Sequence, residues 1–301
     1  MVFMVIILLV VTLFVAVRIY ALKKEVKKLT LQLHQYNQRQ TNQKLEMDLF
    51  DRDLEELGME VNKLIDLYIA EQQKHIRFAN EQKQLIANMS HDLRTPLTST
   101  IGYLQMAQNE HMTSKERVEL LNIAVRQARR LETLLNDFFE LSLIESADYH
   151  LSREQVHLNS LVIEVLIRFY DRFQEKGMEP TVHIPEQAIF IVANESAVIR
   201  VVENLLANAI THADGNIVIN LEERDETVRL TVTNDAFSLT ETDVQHMFDR
   251  FYMADKARSG KSTGLGLSIV KSLMKKMDGT ITGRLNNGQL SIVCTWKRFY
   301  D

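Results

Sequence analysis

Cysteine, proline and glycine are scarce in this chain of 301 residues, which contains one cysteine, three prolines and ten glycines. The single cysteine, Cys294, excludes an internal disulfide framework and a metal site built on several thiolates. Because proline and glycine disfavour helix interiors, their scarcity predicts long uninterrupted helices. A large excess of positive charge is also missing: 35 basic and 40 acidic residues give a net charge of -5. A nucleic-acid surface normally carries a basic stripe, so no nucleic-acid partner is predicted.

The N-terminus is an apolar run. Residues 1–17 contain no charged side chain, and the apolar character resumes after Arg18 as far as Leu22. About 20 such residues cross the hydrocarbon core as a helix, so residues 1–22 are predicted to be a transmembrane helix. Basic residues crowd its C-terminal flank and normally stay in the cytoplasm, which predicts a single-pass cell-membrane protein with a cytoplasmic catalytic part. A cleaved signal peptide is the alternative, but no basic segment precedes the run.

A regular 4-3 spacing of mostly apolar residues follows. It starts at Leu22, continues to Tyr68 and reaches Met89 in the same phase. Such a seam predicts a coiled-coil linker over residues 23–80 and one helix that runs unbroken from the membrane into the motif at His91. Polar seam positions such as Gln40 predict a metastable coiled coil. A passive spacer and a signal-transmitting rod both remain open.

Residues 88–97 read NMSHDLRTPL on a helical background. A neutral imidazole can attack a phosphate with one ring nitrogen, while a carboxylate bonded to the other N–H fixes the tautomer and raises the nucleophilicity. Asp92 is the candidate carboxylate beside His91. Thr95 lies four residues past His91 on the same helix face. Pro96 removes a backbone hydrogen bond, which predicts a bend just after the nucleophile.

This string resembles the dimerisation and phosphotransfer (HisKA-type) domain of histidine kinases. The resemblance implies that His91 accepts the phosphoryl group and that Thr95 orients a water during dephosphorylation of the partner. After a break near residues 109–113, apolar periodicity predicts a second helix over residues 114–146. Two such helices would form an antiparallel hairpin. The hairpins of two chains would then pack together as a dimeric four-helix bundle. This domain is assigned to residues 81–150, and a homodimer follows from the need to bury its apolar positions.

From about residue 157 the pattern changes to mixed helix and strand, which predicts an α/β sandwich domain over residues 151–301. The expected elements are a helix near 159–176 and strands near 181–184, 189–192, 217–222, 228–234 and 291–296. Residues 203–213, ENLLANAITHA, place Asn204 and Asn208 on one helix face. Mg²⁺ prefers oxygen ligands together with nucleotide phosphates. The stretch resembles the asparagine box of the kinase and chaperone-type ATPases, which implies ATP and Mg²⁺ as cofactors and Asn208 as the metal ligand.

Residues 264–268, GLGLS, precede another helical stretch. Glycines allow close phosphate approach, and N–H groups at a helix start favour anions. The order of asparagine box, FDRFY at 248–252 and GLGL matches the kinase family. Arg250 in FDRFY and Arg258 in the loop that follows are suited to neutralising phosphate charge. The implied ATP-binding residues are Asn204, Asn208, Asn234, Arg250, Arg258, Gly260, Lys261, Ser262, Thr263, Gly264, Leu265 and Gly266.

The chain departs from the family pattern at the adenine site. The Asp-x-Gly-x-Gly segment that normally carries the adenine-binding aspartate is absent, and Asn234 stands at that position. A neutral acceptor is weaker than a carboxylate, so ATP binding is expected to persist with reduced affinity or altered adenine geometry. Thr211 and His212 also stand where lysine and an aromatic residue are common.

The sequence thus predicts a multidomain, membrane-bound sensor histidine kinase of a bacterial two-component system, with a GHKL-type ATP-binding domain. Its activity would be autophosphorylation of His91 from ATP, transfer to an aspartate of a response regulator receiver domain, and dephosphorylation of that partner. One alternative is a hydrolysing ATPase, in which the string around His91 has no place. Another is a membrane-anchored coiled-coil scaffold with a degenerate ATP-binding domain. A neighbouring membrane protein is the expected source of the signal.

Overall fold

The computed structural model describes residues 2–37, 44–46, 52–109, 111–146, 148–254 and 263–299. The chain divides into two compact units, Met1–Gln84 and Leu85–Asp301. Helix α1 (Val2–Asn37) lies in the first unit, and helix α2 (Arg52–Ala107) extends from the first unit into the second.

The first unit does not contain one unbroken helix. Residues 44–46 are not helical, and the backbone N–H and C=O of Leu45 bond to the side chain of Asn62 at 2.9 and 3.2 Å. The prediction of a continuous helix from the membrane into the motif at His91 is therefore wrong. The sequence after Tyr36 is rich in Asn, Gln and Thr, and Asn and Thr side chains compete with the helix for backbone hydrogen bonds. Gln40, a predicted seam position, lies outside the described residues.

Helix α1 begins with the predicted apolar segment. Among the helices in the described ranges, it is the one long and apolar enough to cross a membrane, and its apolar side chains are exposed. A segment of this length and composition near the N-terminus is what a membrane anchor requires.

The second unit starts with the end of α2 and helix α3 (Ser114–Glu145). The predicted break near residues 109–113 is confirmed, and Thr113 caps α3. The Thr113 hydroxyl accepts from the backbone N–H of Glu116 at 3.3 Å, while the Glu116 carboxylate accepts from the backbone N–H of Thr113 at 3.0 Å. This reciprocal capping box satisfies two N–H groups that a helix start would otherwise leave unpaired.

The rest of the second unit is the predicted α/β sandwich. Its elements are β1 (Glu154–His157), α4 (Leu158–Arg168), α5 (Tyr170–Glu175), β2 (Thr181–His183), β3 (Phe190–Ala193), α6 (Glu195–His212), β4 (Ile217–Arg224), β5 (Thr227–Asp235), α7 (Glu241–His246), α8 (Gly266–Lys276), β6 (Thr280–Asn286) and β7 (Gln289–Lys297). The main sheet has the order β2-β4-β5-β7-β6, with β2 parallel to β4 and the other pairs antiparallel. Strands β1 and β3 form a separate antiparallel pair. The predicted helix near 159–176 is divided at Phe169 into α4 and α5.

The core lies between one face of the main sheet and its helices. Strand β7 buries every second residue, among them Cys294 and Trp296, as expected for a sheet with one covered face. Helix α6 buries Val198, Val201, Leu205 and other residues at helical spacing. Each fully buried large apolar side chain stabilises the fold by about 1.5–3 kcal/mol. This packing fixes α6, so its partly buried asparagines have a defined position.

Candidate nucleotide-binding site and phosphoacceptor helix

A cavity of about 870 Å³ lies in the second unit, between α3 and the sandwich domain. Its volume is in the usual range for small-molecule and cofactor sites. Several elements line it: the Asn204 and Asn208 face of α6, the segment after β5, helix α7, residues 263–267 and one face of α3. Two asparagines predicted from the sequence thus meet the predicted glycine segment in one cavity.

The two asparagines present amide groups to this cavity. Asn204 Nδ2 donates to the carbonyl of Arg200, one turn earlier, at 2.9 Å. Its Oδ1 faces Gly266, where an added Cβ would come within 2.9 Å of it. A side chain at position 266 would therefore displace the Asn204 amide, which explains the need for glycine there. Asn208 lies one turn further along the same face and lines the cavity.

Gly264 is required by both space and backbone conformation. Its φ is +68°, and an added Cβ would lie 3.0 Å from two backbone atoms of Phe251. The Phe251 N–H donates to the Gly264 carbonyl at 2.9 Å. The FDRFY segment and the GLGL segment are thus in direct contact, and α8 begins two residues later. Leu265, at the N-cap of α8, provides no side-chain cap, so the N–H groups at the helix start remain available to an anion.

Three of the predicted ATP-binding residues, Asn234, Arg250 and Leu265, are described by the structure but do not line the cavity. Asn234 is 2% exposed, and its Nδ2 donates to the Asp235 carbonyl at 3.0 Å. Leu265 is fully buried in the core, and Arg250 forms an ion pair of 2.5 Å with Glu145 on α3. Arg258, Gly260, Lys261 and Ser262 lie outside the described residues.

The cavity wall also contains a charged cluster that the sequence analysis missed. Arg200 on α6 donates from Nε and Nη2 to both carboxylate oxygens of Glu140 on α3 at 2.5–3.0 Å. Its Nη2 also donates to Asp137 at 2.9 Å, and Thr263 Oγ1 donates to the second Asp137 oxygen at 2.9 Å. The two carboxylates lie three residues apart on one helix face, a spacing visible in the sequence. Their partner, about 60 residues away, is not.

Burial affects the charges of this cluster. Asp137 is 9% exposed, and desolvation raises its pKa in spite of the hydrogen bonds from Thr263 and Arg200. Burial alone would lower the pKa of Arg200, but the hydrogen bond to Glu140 and the surrounding carboxylates leave that pKa raised. Arg200 therefore stays positively charged and holds two carboxylates of α3 against α6.

His91 is exposed on α2, with 78% of its side chain accessible. Its Nδ1 lies 3.0 Å from Oδ1 of Asp92, and Thr95 Oγ1 donates to the His91 carbonyl at 3.2 Å. In the tautomer whose Nδ1–H donates to Asp92, the lone pair is on Nε2, which faces away from that carboxylate. This is the geometry expected of an imidazole nucleophile.

Comparisons with known proteins agree with both parts of the site. The family profile described as the His Kinase A (phospho-acceptor) domain matches residues 81–147. The profile described as the histidine kinase-, DNA gyrase B- and HSP90-like ATPase matches residues 193–298. The sensor histidine kinase YcbM of Bacillus subtilis (strain 168) is 33% identical over 240 residues, which cover 77% of this chain and 76% of YcbM. The chain belongs to the sensor histidine kinases.

Other relatives of this kinase extend the comparison. The sensor protein VanSC of Enterococcus gallinarum is 29% identical over 74% of this chain and 63% of its own length. The sensor histidine kinase WalK of Bacillus subtilis is 29% identical, but the chain spans 35% of that relative. The crystal structure of the histidine kinase ThkA with the response regulator protein TrrA has a TM-score of 0.63 at 20% identity, covering 77% of this chain and 66% of that one. This likeness shows that the fold is shared.

Proposed function

We propose that this sensor kinase transfers the γ-phosphoryl group of ATP to His91 and then to an aspartate on the receiver domain of a response regulator. The observation that carries the proposal is the exposed His91 imidazole with Asp92 at its Nδ1, in the same unit as the asparagine- and glycine-lined cavity. The second transfer is supported by the complex of ThkA with its response regulator. Dephosphorylation of the partner, with Thr95 orienting the water, belongs to the same proposal.

The first transfer assigns separate tasks to His91 and Asp92. Nε2 of His91 attacks the γ-phosphorus, the new N–P bond replaces the bond to the bridging oxygen, and ADP leaves. Asp92 holds the proton at Nδ1 and stabilises the positive charge that develops on the ring. No separate general base is needed, because the attacking Nε2 carries a lone pair and no proton in this tautomer. The remaining requirements are the positioning of the phosphate and the stabilisation of its charge.

The cavity suits ATP with Mg²⁺. Asn208 is the proposed metal ligand, with Asn204 beside it, since amide oxygens are suitable ligands for this cation. Among the described residues no group of three or more His, Cys, Asp or Glu side chains could hold a metal ion, so phosphates and waters would supply most of its coordination. Bound Mg²⁺ would neutralise phosphate charge. The Asn208 side chain lines the cavity without an acidic cage around it, which fits that arrangement.

We assign the adenine end to the apolar part of the cavity. Ala236, Leu239, Val244, Met247 and Leu290 line it. Asn234 stays the candidate acceptor for the adenine amino group, although its amide nitrogen is engaged with the Asp235 carbonyl. Thr263, Gly264 and Gly266 are the proposed phosphate-binding residues among those described, together with the N–H groups at the start of α8.

The proposed molecule is a homodimer anchored by α1, with its catalytic part in the cytoplasm. The basic residues after the apolar segment support this orientation. Ile101 and Leu104 on α2 and Leu121 and Val125 on α3 are 41–50% exposed in the single chain, as the core of a two-chain bundle requires. A neighbouring membrane protein is the proposed source of the signal.

The test is incubation of the full-length protein in detergent micelles with γ-labelled ATP and Mg²⁺. Acid-labile, alkali-stable label is expected on the wild type and not on His91→Gln, while both proteins bind ADP equally. Nucleotide binding without label would favour the scaffold alternative. Phosphate release without label would favour a hydrolysing ATPase.

A further inference from the structure

One face of α3 is an arginine-rich wall of the nucleotide cavity. Arg126, Arg129 and Arg130 line the cavity, followed on the same helix by Thr133 and Asp137. Steps of three and four residues place these five side chains on one face. The arginines therefore face the cavity as a group, although α3 belongs to the phosphoacceptor domain and not to the ATPase domain.

The other walls of the cavity hold two further described arginines, and both are engaged. Arg200 makes four hydrogen bonds to Asp137 and Glu140. The guanidinium of Arg172 on α5 lies over the Phe169 ring, 4.7 Å from its centroid. The lining residues of α6 near the proposed metal ligand, Asn204, Asn208 and Thr211, carry no charge. A nucleoside triphosphate brings several negative charges into the cavity, and phosphoryl transfer needs cations near the terminal phosphate.

Two of the α3 arginines are available for this purpose. The side chains of Arg126 and Arg129 are exposed and make no hydrogen bond or ion pair within the part of the chain that the structure describes. An arginine guanidinium can present two parallel N–H groups to one phosphate. The pair could thus engage an anion without first breaking a contact among the described residues.

The level of these arginines along the helices is close to that of His91. His91 lies 16 residues before the end of α2 at Ala107, while Arg126 and Arg129 lie 12 and 15 residues after the start of α3 at Ser114. At 1.5 Å per residue, His91 is about 24 Å from the connection between the helices, and the two arginines are about 18 and about 22 Å from it. A connection as short as residues 108–113 is typical of an antiparallel helix pair, in which the three positions lie within about 6 Å of one level.

We infer that Arg126 and Arg129 bind the terminal phosphate of ATP, so that the phosphotransfer helix completes the nucleotide site of the ATPase domain. This inference rests on the proposed kinase function. The two guanidinium groups stabilise the γ-phosphate where it leaves the cavity, at the level of the acceptor imidazole. ADP, which lacks that phosphate, does not gain from them.

The experiment compares the double variant Arg126→Gln/Arg129→Gln with the wild-type full-length protein. A matched control is Lys115→Gln, an exposed cation on α3 away from the cavity. Binding of ADP and of a non-hydrolysable ATP analogue is measured, together with the rate of autophosphorylation at saturating ATP. The double variant should lose at least about tenfold in rate and in its preference for the triphosphate, with ADP affinity unchanged. Arg126→Lys/Arg129→Lys should restore part of both.

Several outcomes would overturn this inference. One is a double variant whose rate and triphosphate preference equal those of the wild type. Another is normal autophosphorylation with slow transfer to the receiver domain, which would assign the arginines to the partner. Failure of the wild type to label itself would instead refute the proposed kinase function, and the ratio of triphosphate to diphosphate affinity would still decide the role of the arginines. Thermal unfolding monitored by Trp296 fluorescence verifies that each variant is folded.

Discussion

The hydrogen bonds around Arg200 predict that Arg200→Gln lowers the stability of the fold more than Asp137→Asn does, although both substitutions change the same contact. Arg200→Gln removes the cation and leaves the carboxylates of Asp137 and Glu140 facing each other without a positive charge. Asp137→Asn removes one of the two carboxylates, while Arg200 keeps its bidentate contact with Glu140. The asparagine oxygen can still accept from Arg200 Nη2, while its amide nitrogen can donate to the Thr263 hydroxyl.

The magnitude follows from the burial of the three side chains. Counting side-chain atoms alone, the exposed fraction is 13% for Asp137, 29% for Glu140 and 34% for Arg200. Removing one partner of a fully buried pair costs about 3–5 kcal/mol, and exposed pairs contribute about 0–1 kcal/mol. For this intermediate case we expect Arg200→Gln to cost about 2 kcal/mol. At roughly 2–4 °C per kcal/mol, its midpoint should fall by about 4–8 °C. Asp137→Asn should cost less than about 1 kcal/mol, because burial already disfavours its charged form.

The chain contains a single tryptophan, Trp296. It is 1% exposed on β7, so its fluorescence reports directly on the unfolding of the α/β sandwich domain. Thermal unfolding of the full-length protein is therefore monitored by its fluorescence. Arg224→Gln is the matched control, because Arg224 pairs with Glu222 at the surface and 58% of its side chain is exposed. Its midpoint should stay within about 2 °C of the wild type. Equal losses for Asp137→Asn and Arg200→Gln would refute the reasoning, as would no loss for Arg200→Gln.

Two further predictions concern pH and the glycine segment. Because the folded-state pKa of Asp137 is raised, its contribution to stability is most favourable below its ordinary pKa and declines as the pH rises through the raised value. The thermal midpoint of the wild type relative to Asp137→Asn should therefore increase on acidification across that window, and a constant difference would contradict the assignment. Gly264→Ala places a Cβ 3.0 Å from the Phe251 backbone at a φ of +68°. It should weaken ATP binding by about 5- to 30-fold, corresponding to about 1–2 kcal/mol of strain, as measured by calorimetry. Unchanged affinity would show that this loop does not shape the site.

The sequence predicts local structure here better than contacts between distant segments. Helix α3 begins at the predicted position because Thr113 and Glu116 form a capping box. Helix α7 has the same signal in Thr240 and Asp243, which the sequence analysis overlooked. Strand β6 was missed because five of its seven residues are polar or glycine and no residue in it is fully buried.

The site was predicted where it depends on single motifs and missed where it depends on packing. Asn204, Asn208 and Gly266 come together as the motifs imply. The arginines of α3 and the partner of Asp137 were missed, because periodicity indicates which residues share a face but not which domain packs against that face. The buried position of Asn234 was equally beyond motif analysis, since it depends on the sheet behind the cavity.

The contacts between α3 and the ATPase domain are both apolar and polar. Leu141 and Ile144 on α3 are each 2% exposed and belong to the same buried cluster as the core of that domain. Glu145 and Arg250 are each about one third exposed, and Lys276 donates to the carbonyls of Ser146 and Tyr149 at 2.9 and 3.0 Å. Water can replace exposed hydrogen bonds of this kind at little cost. Asp137 is different, since its carboxylate is buried and bonds to Thr263 at the edge of the glycine segment. A shift of α3 must therefore change the hydrogen bonding of Thr263, which links the position of this helix directly to the end of the cavity that we propose to bind phosphate.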